Sequence, residues 1–311
     1  MYYPLLRARQ FELIALRELA IEGITQDYVI PILEPVKKSH NNLNLACKIF
    51  QQQLQQAYLI VNPEVGELAG DCDSFLEYII GQEEDILLPA FYYQNNANYI
   101  QQSINNYKLN NCMILCKNDI NVDDHKFTNL VQQAEVSSIN VEDPGRNRAL
   151  DRFLRGINKN YIRLDNFFEK QVRNSDFLKI QEHRFSEEHL YYSKEGLIGF
   201  SDYTVLPNEY SDGGSTPRAV VIHLTFLNDQ NQIWIRHFTS DSNDSIANVQ
   251  GKFAEAASKA VTFCRENNLT NSAIQELENY FDEEHYPGLG IVKKISIKNH
   301  ILIVQEYLSK I

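Results

Sequence analysis

From residue 2 to residue 205 the chain alternates short apolar runs with segments of helical period, a pattern that few folds can accommodate. The run 2–6 is followed by a helical stretch, 9–22, whose stripe of Phe11, Ile14, Ala15, Leu19 and Ile21 is stopped by Gly23. The run 28–33 is apolar throughout, as suits a strand buried on both faces. A helix over 43–56 is predicted with Leu45, Ile49 and Leu54 inward and its glutamines outward. Strands are predicted over 57–61, 86–92, 112–116, 136–141, 161–164 and 197–205. Helices over 74–81, 98–107, 127–133 and 148–157 separate them, and a polar stretch to 194 turns helical near 187–191. Parallel strands need crossovers with room for a helix, so the alternation predicts a parallel sheet. About eight such units is the number at which a (β/α)8 barrel closes. The rival, an open doubly wound sheet, carries a glycine-rich turn after its first strand. Here that turn is Arg7-Ala8-Arg9-Gln10, so the α/β class with a TIM-like barrel is expected.

The last third departs from the repeat. Two β-rich runs, 219–227 and 233–239, flank Asn228-Asp229-Gln230-Asn231 and predict an inserted hairpin. An amphipathic helix over 246–264, through Val249, Phe253, Ala256, Ala257, Ala260 and Val261, is read as the last barrel helix, displaced in sequence by that hairpin. Further helices over 272–281 and 301–308 are read as packed outside. The expected organisation is one barrel domain over 1–311: repeats over 1–205, loop and hairpin over 206–245, closing and accessory helices over 246–311.

Composition narrows the function classes. A chain of 311 residues with a net charge of -12 is a poor candidate for broad non-specific grip on nucleic acid. No run is long and apolar enough to span a bilayer, and the opening residues lack a signal peptide's order of basic, apolar and small residues. The cysteines, Cys47, Cys72, Cys112, Cys116 and Cys264, are odd in number and form no CxxC pair. Reduced thiols in a cytoplasmic protein account for them most simply. The spacing of Cys112 and Cys116 puts both on one face of a strand, where core packing is favoured over zinc and apolar surroundings disfavour a thiolate.

Ligands of such barrels bind at the C-terminal ends of the strands. Those ends carry Arg7, Glu34, Lys37, Asn62, Tyr92, Lys117, Asp119, Asp143, Asp165 and Asp202, although wet loops would also be polar there. Glu34 closes a buried run between Leu33 and Pro35, so it needs a cation or a proton; Arg7, on the neighbouring strand, is its natural partner. The pair either holds the rim or poises an acid. Asp202 and Tyr203 point to opposite faces of their strand, and Asp202 is expected to face the mouth. Magnesium would need converging carboxylates such as Glu34, Asp143 and Asp202; no spacing motif points to it, and no cofactor is expected. A phosphate would be held by Arg7, Lys117 and the Gly213-Gly214 loop, whose glycines equally suit a simple turn. His223 and His237 are expected almost opposite each other across the hairpin, with Cβ atoms about 5 Å apart. An acid–base pair, a shared anion, or two strand histidines with no task all fit. Catalytic candidates are therefore Glu34, Asp202, His223 and His237, and binding candidates Arg7, Arg9, Lys37, Asn62, Lys117, Asp143, Asp165 and Tyr203. No GxSxG, HExxH, P-loop or zinc-finger pattern is present.

The segments YYPLLRARQFELIALREL, VIPILEPVK, GFSDYTVLPNEYSDGG and AVVIHLTF resemble the bacterial and phage "beta protein" family, and the resemblance covers most of the chain. It implies a barrel-like fold, a gene in a mobile or defence-associated region, and often a neighbour similar to the PD-(D/E)XK nucleases; it implies no assigned reaction. The two basic residues and glutamate of the family's first turn are matched by Arg7, Arg9 and Glu12. The acid ending its second strand is matched by Glu34, and its late acid and tyrosine by Asp202 and Tyr203. Lysine is commoner at the first basic position in the wider family, so a role needing a neutral amine does not carry over to Arg7. Two functions are left open. One is a defence-associated partner or sensor subunit, binding the nuclease-like neighbour and a phosphorylated ligand at the mouth. The other is an enzyme acting on a phosphate ester or nucleotide, with Arg7 and Lys117 on the phosphate and Glu34 or Asp202 as base.

Overall fold

The computed structural model describes residues 1–23, 27–70, 73–82, 86–213 and 216–310. Cys72 and Gly214 lie outside the described residues. In chain order the elements are β1 (Leu5–Leu6), α1 (Gln10–Ile21), β2 (Ile32–Leu33), α2 (Asn41–Gln53), β3 (Ala57–Ile60), α3 (Asp73–Ile80), β4 (Leu87–Tyr92), α4 (Ala97–Tyr107) and β5 (Cys112–Cys116). There follow α5 (His125–Val131), β6 (Val136–Glu142), α6 (Arg148–Arg155), β7 (Asn160–Asp165), α7 (Phe177–Ile180), β8 (Glu182–Ser186), α8 (Glu188–Tyr191) and β9 (Gly199–Asp202). The last are β10 (Val221–Leu227), β11 (Ile233–Thr239), α9 (Val249–Glu266), α10 (Ser272–Asp282) and α11 (Leu289–Leu308). The chain divides into two compact units. One comprises Met1–Leu13, Arg17–Asn166 and Tyr191–Tyr203; the other comprises Ile14–Leu16, Phe167–Leu190 and Thr204–Ile311.

The first unit is the barrel. Among the described residues its sheet has eight strands in the order β1-β2-β3-β4-β5-β6-β7-β9, paired in parallel throughout. Tyr2 closes it by bridging Val29 on one side and Phe200 on the other. There the Tyr3 N–H donates to the Phe200 carbonyl at 2.9 Å, and the Phe200 N–H to the Met1 carbonyl at 3.2 Å. Only glycine fits at 199: a Cβ there would stand 2.5 Å from the Tyr3 ring and 2.7 Å from the Met1 oxygen. The closing strands can approach because that side chain is missing.

Period-two alternation sorts each strand's residues between lumen and helix layer. Tyr3, Leu5, Ile32, Tyr58, Ile60, Leu88, Ala90, Met113, Leu115, Ile162, Leu164 and Tyr203 form a single buried cluster. Strands on opposite sides of a ring can share a cluster only through its interior. The Tyr58 hydroxyl meets Ser138 Oγ at 3.2 Å, linking β3 to β6 across the lumen. Cys112 and Cys116 take the opposite parity and are buried. Burial pushes the Cys112 thiol up to about 12 and raises Cys116 as well, so neither is a thiolate at neutral pH.

One helix face was misassigned by period. The buried residues of α2 are Leu43, Ala46, Cys47 and Phe50, a 3-4-7 spacing. Leu45 is 50% exposed, and Leu54, 68% exposed, is the left-handed cap where the helix ends.

The second unit is built on an antiparallel sheet of order β10-β11-β8. The hairpin register is the expected one, with His223 opposite His237. Strand β8 was not foreseen, because Glu182-His183-Arg184-Phe185-Ser186 carries little β-branched or apolar character. Helix α9 was expected to close the barrel. Its Phe253, Ala256, Ala257, Ala260, Val261 and Cys264 instead form one core with Val220, Ile222, Leu224 and Phe238 of the hairpin and with residues of α10 and α11. Helix α11 begins at Leu289 rather than 301. Lys294, Lys298, Asn299 and His300 hid its first half by breaking the apolar pattern, yet all are buried. Lys294 pairs with Glu276 at 2.7 Å, and the Asn299 amide donates to the Thr225 carbonyl at 2.9 Å, which makes their burial affordable in free energy. Among the described residues no helix is long and apolar enough to cross a membrane.

Candidate functional site at the barrel rim

Following the lumen parity to the C-terminal ends of the strands gives the inner rim: Arg7 after Leu5, Glu34 after Ile32, Asn62 after Ile60, Tyr92 after Ala90, Glu142 after Asn140, and Tyr203. Glu34 is fully buried and ion-paired to Arg7. The Tyr92 hydroxyl donates to its Oε2 at 2.9 Å, and the Glu64 N–H to its Oε1 at 3.0 Å. A buried carboxylate is tolerable when both oxygens are occupied in this way. The Arg7 guanidinium also lies 5.7 Å from the centre of the Tyr203 ring, within cation–π reach. Burial, reinforced by their mutual proximity for Tyr92 and by Glu142 for Tyr203, raises both phenols. Both are therefore O–H groups at neutral pH.

Three residues at or just below the rim, Glu142, Asn140 and Glu64, escape the sequence reading. Glu142 ends β6, and burial raises its carboxyl pKa, with Lys117 pulling it back and Glu64 and Asp143 adding to the rise. Counting by twos from Ser138 through Asn140 reaches it; the expected strand stops at 141 and places the mouth residue two positions on, at Asp143. Asn140 is fully buried. Among the described residues neither end of its amide has a hydrogen-bond partner, although a buried amide ordinarily has one. Glu64, from the loop after β3, takes a hydrogen bond from Gln94 at 2.7 Å and lies 4.0 Å from Lys117.

Asn62 has the expected position and a mainly structural task. Its amide donates to the Tyr92 carbonyl and accepts from the Tyr92 N–H, both at 2.9 Å, and so extends the β3–β4 ladder by a side chain.

Three expected mouth carboxylates belong to the other parity. Asp202 lies on the helix side of β9, where the Tyr2 hydroxyl donates to its Oδ1 at 2.6 Å and the Tyr2 ring stacks on Phe200; the lumen position falls to Tyr203 instead. Asp165 shares the outer face of β7 with Arg163, which holds it at 3.0 Å; burial raises its pKa and Arg163 opposes the rise. Asp143, in a left-handed conformation with φ 46°, pairs with Arg146 at 2.6 Å. The magnesium set Glu34, Asp143 and Asp202 therefore shares no face. Among the described residues no group of three or more His, Cys, Asp or Glu side chains is placed to hold a metal ion.

Two basic candidates also have local partners. The Arg9 N–H donates to the Glu12 carboxylate at 3.4 Å where α1 starts. Lys37, exposed, pairs with Glu67 at 2.9 Å. Gly213, with φ +87°, belongs to the second unit, and Gly214 is outside the described residues, so the proposed phosphate loop has no described geometry.

The histidine candidates also belong to the second unit. His223 Nδ1 and His237 Nδ1 are 2.7 Å apart, boxed by the Phe168 and Phe177 rings. The His183 ring, contributed by the unforeseen β8, lies 5.3 Å from His237. Burial lowers His223 to about 3; burial, then His223 and His183, lower His237 to about 2. Both are neutral rings at physiological pH, so one donates its Nδ1 proton to the other.

Compared with known proteins, the chain matches no family model and no curated protein sequence.

Proposed function

We propose that this protein is a ligand-binding (β/α)8 barrel that works as a partner or sensor subunit of a bacterial anti-phage defence or mobile-element system. The setting rests on the resemblance of its barrel-end segments, Arg7 and Glu34 among them, to the beta protein family. The binding role rests on the rim, and the observation that carries it is the fully buried Asn140 amide, which has no hydrogen-bond partner among the described residues, one lumen position below Glu142. On the same rim stand the Tyr203 phenol, the Tyr92 phenol that already donates to Glu34, and the Glu142 carboxyl whose pKa is raised. The rim's charges select the ligand. Arg7 is already neutralised by Glu34, leaving Lys117 opposed by Glu64 and Glu142. A hydroxyl- or amine-bearing small molecule suits that balance better than a phosphorylated one, which would have Lys117 alone as counter-charge.

The test is a thermal-shift screen of the full chain with polyols, amino sugars, polyamines and nucleotides, run beside co-purification with the product of the neighbouring gene. A stabilising hit among the hydroxyl or amine compounds that is lost in N140A supports the reading. Stabilisation by nucleotides alone, or hits that N140A leaves intact, defeats it.

The enzyme reading keeps one specific support. A partly buried carboxyl whose pKa is raised is a candidate proton donor or acceptor, and that group is Glu142 rather than Glu34, whose oxygens are already occupied. Turnover of any screened compound by the isolated chain, abolished in E142Q, would favour it.

A further inference from the structure

The barrel rim repeats itself. The last lumen-facing residues of β1, β2, β3 and β4 are Arg7, Glu34, Asn62 and Tyr92. On β5, β6, β7 and β9 the same parity ends at Lys117 after Leu115, Glu142 after Asn140, Asn166 after Leu164, and Tyr203. Each half of the ring presents a base, an acid, an amide and a phenol, in that order. The strand registers agree. Arg7 and Glu34 each lie two residues beyond the paired Leu5 and Ile32, and Lys117 and Glu142 each lie two beyond the paired Leu115 and Asn140. Base and acid are therefore cross-strand neighbours in both halves. Strands four apart in a ring of eight face each other, so the two acids stand on opposite sides of the mouth.

The halves differ in how the acid is satisfied. Glu34 is ion-paired to Arg7 and accepts from the Tyr92 hydroxyl at 2.9 Å and the Glu64 N–H at 3.0 Å. Glu142, only partly buried, accepts no hydrogen bond among the described residues, and the Tyr203 hydroxyl donates none. Burial, then the Glu142 carboxylate, raises the Tyr203 phenol, which sets acid and phenol near each other as in the first half. The loop after β3 accounts for the difference. Glu64 gives its N–H to Glu34, while its carboxylate stands 4.0 Å from the Lys117 ammonium. It completes the first acid and faces the cation that would serve the second.

We infer that the ligand of the rim carries a planar, forked cation, a guanidinium or amidinium, which binds Glu142 as the Arg7 guanidinium binds Glu34. This rests on the rim reading above and narrows its ligand. Two parallel N–H groups match the two oxygens of a carboxylate, and a point charge such as the Lys117 ammonium does not. The Tyr203 hydroxyl then has the task that Tyr92 has on Glu34, and its ring face already has the Arg7 guanidinium 5.7 Å from its centre. Of the nearby charges, Glu64 favours a cation at Glu142 and Lys117 opposes it. All of these residues belong to the first unit.

The test is isothermal titration calorimetry of the full chain with methylguanidine and benzamidine, beside their neutral isosteres methylurea and benzamide. Both cations are expected to bind saturably, and the neutral compounds about tenfold more weakly or less, as loss of a hydrogen bond to a charged group implies. E142Q is expected to weaken cation binding about tenfold. K117M, at an exposed position, removes the opposing charge and is expected to tighten it. D202N, on the helix side of β9, should leave it unchanged. The proposal is overturned if neither cation binds, if the neutral isosteres bind as tightly, if E142Q binds the cations as tightly as the parent chain, or if K117M weakens binding. A hydroxyl compound whose binding is lost in N140A, with neither cation bound, would leave the rim reading standing and overturn this assignment alone. Binding by neither class would overturn both.

Discussion

Glu34 has no exposed surface, and its charge is held by Arg7, Tyr92 and the Glu64 N–H. Removing one member of such a pair leaves a buried charge alone, whereas replacing both with apolar residues is often neutral. R7M is therefore expected to destabilise the barrel by about 3–5 kcal/mol, and R7M/E34L to recover most of that loss, as measured by urea denaturation. Equal loss in the single and double variants would mean that the pair does more than satisfy itself. Glu142 gives a prediction of opposite sign. Its pKa is raised in the folded state, so the folded chain binds that proton more tightly than the unfolded chain. Stability is then lost as pH rises from the ordinary glutamate range to the raised value, and the deficit persists above it. E142Q is expected to be more stable than the parent at neutral pH and to lose that advantage below the ordinary range; denaturation midpoints across pH would show it. Arg7 and Glu34 were legible in the sequence because a charge at the end of an apolar run demands a partner. Glu142 is missed because one residue of uncertainty in where β6 ends moves the rim position to its neighbour, and Asp202 because alternation separates it from Tyr203 without saying which of the two faces the lumen.

At the level of elements, the closing contact between β1 and β9 depends on Gly199. G199A would drive a methyl into the Tyr3 ring and the Met1 carbonyl, and overpacking of this kind costs about 1–3 kcal/mol; the lowered urea midpoint is the check. The hairpin yields a pH prediction. His223 and His237 titrate near 3 and 2 when folded and near the ordinary histidine value of about 6.5 when unfolded. As pH falls below that value the unfolded chain takes up protons that the folded chain refuses. Stability should fall by about 1.4 kcal/mol per pH unit for each ring, and H223F/H237F should flatten the fall between neutrality and mild acid. An unchanged slope in that variant would place the acid sensitivity elsewhere. Elements with clean periodicity, such as β5, β11 and α10, were legible almost to the residue. Those whose packing overrides their composition were not. Strand β8 has four polar residues in five, and the first half of α11 buries lysines, an asparagine and a histidine that only its neighbours can satisfy.

For the molecule as a whole, the fold was the most legible property, because eight alternations of strand and helix leave little but a parallel barrel. The division into two compact units was less so. Local pattern says that α9 is amphipathic but not which sheet its apolar face will meet, and its alanines and Phe253 pack on the hairpin. The central functional claim is that the lumen side of the rim, and not the outer face that carries Asp202, receives a ligand. Native mass spectrometry of the full chain, gently isolated from cells and compared with N140A and D202N, tests it most directly. The account predicts a small molecule retained by the parent and by D202N and lost from N140A. Retention in N140A together with loss from D202N would contradict it.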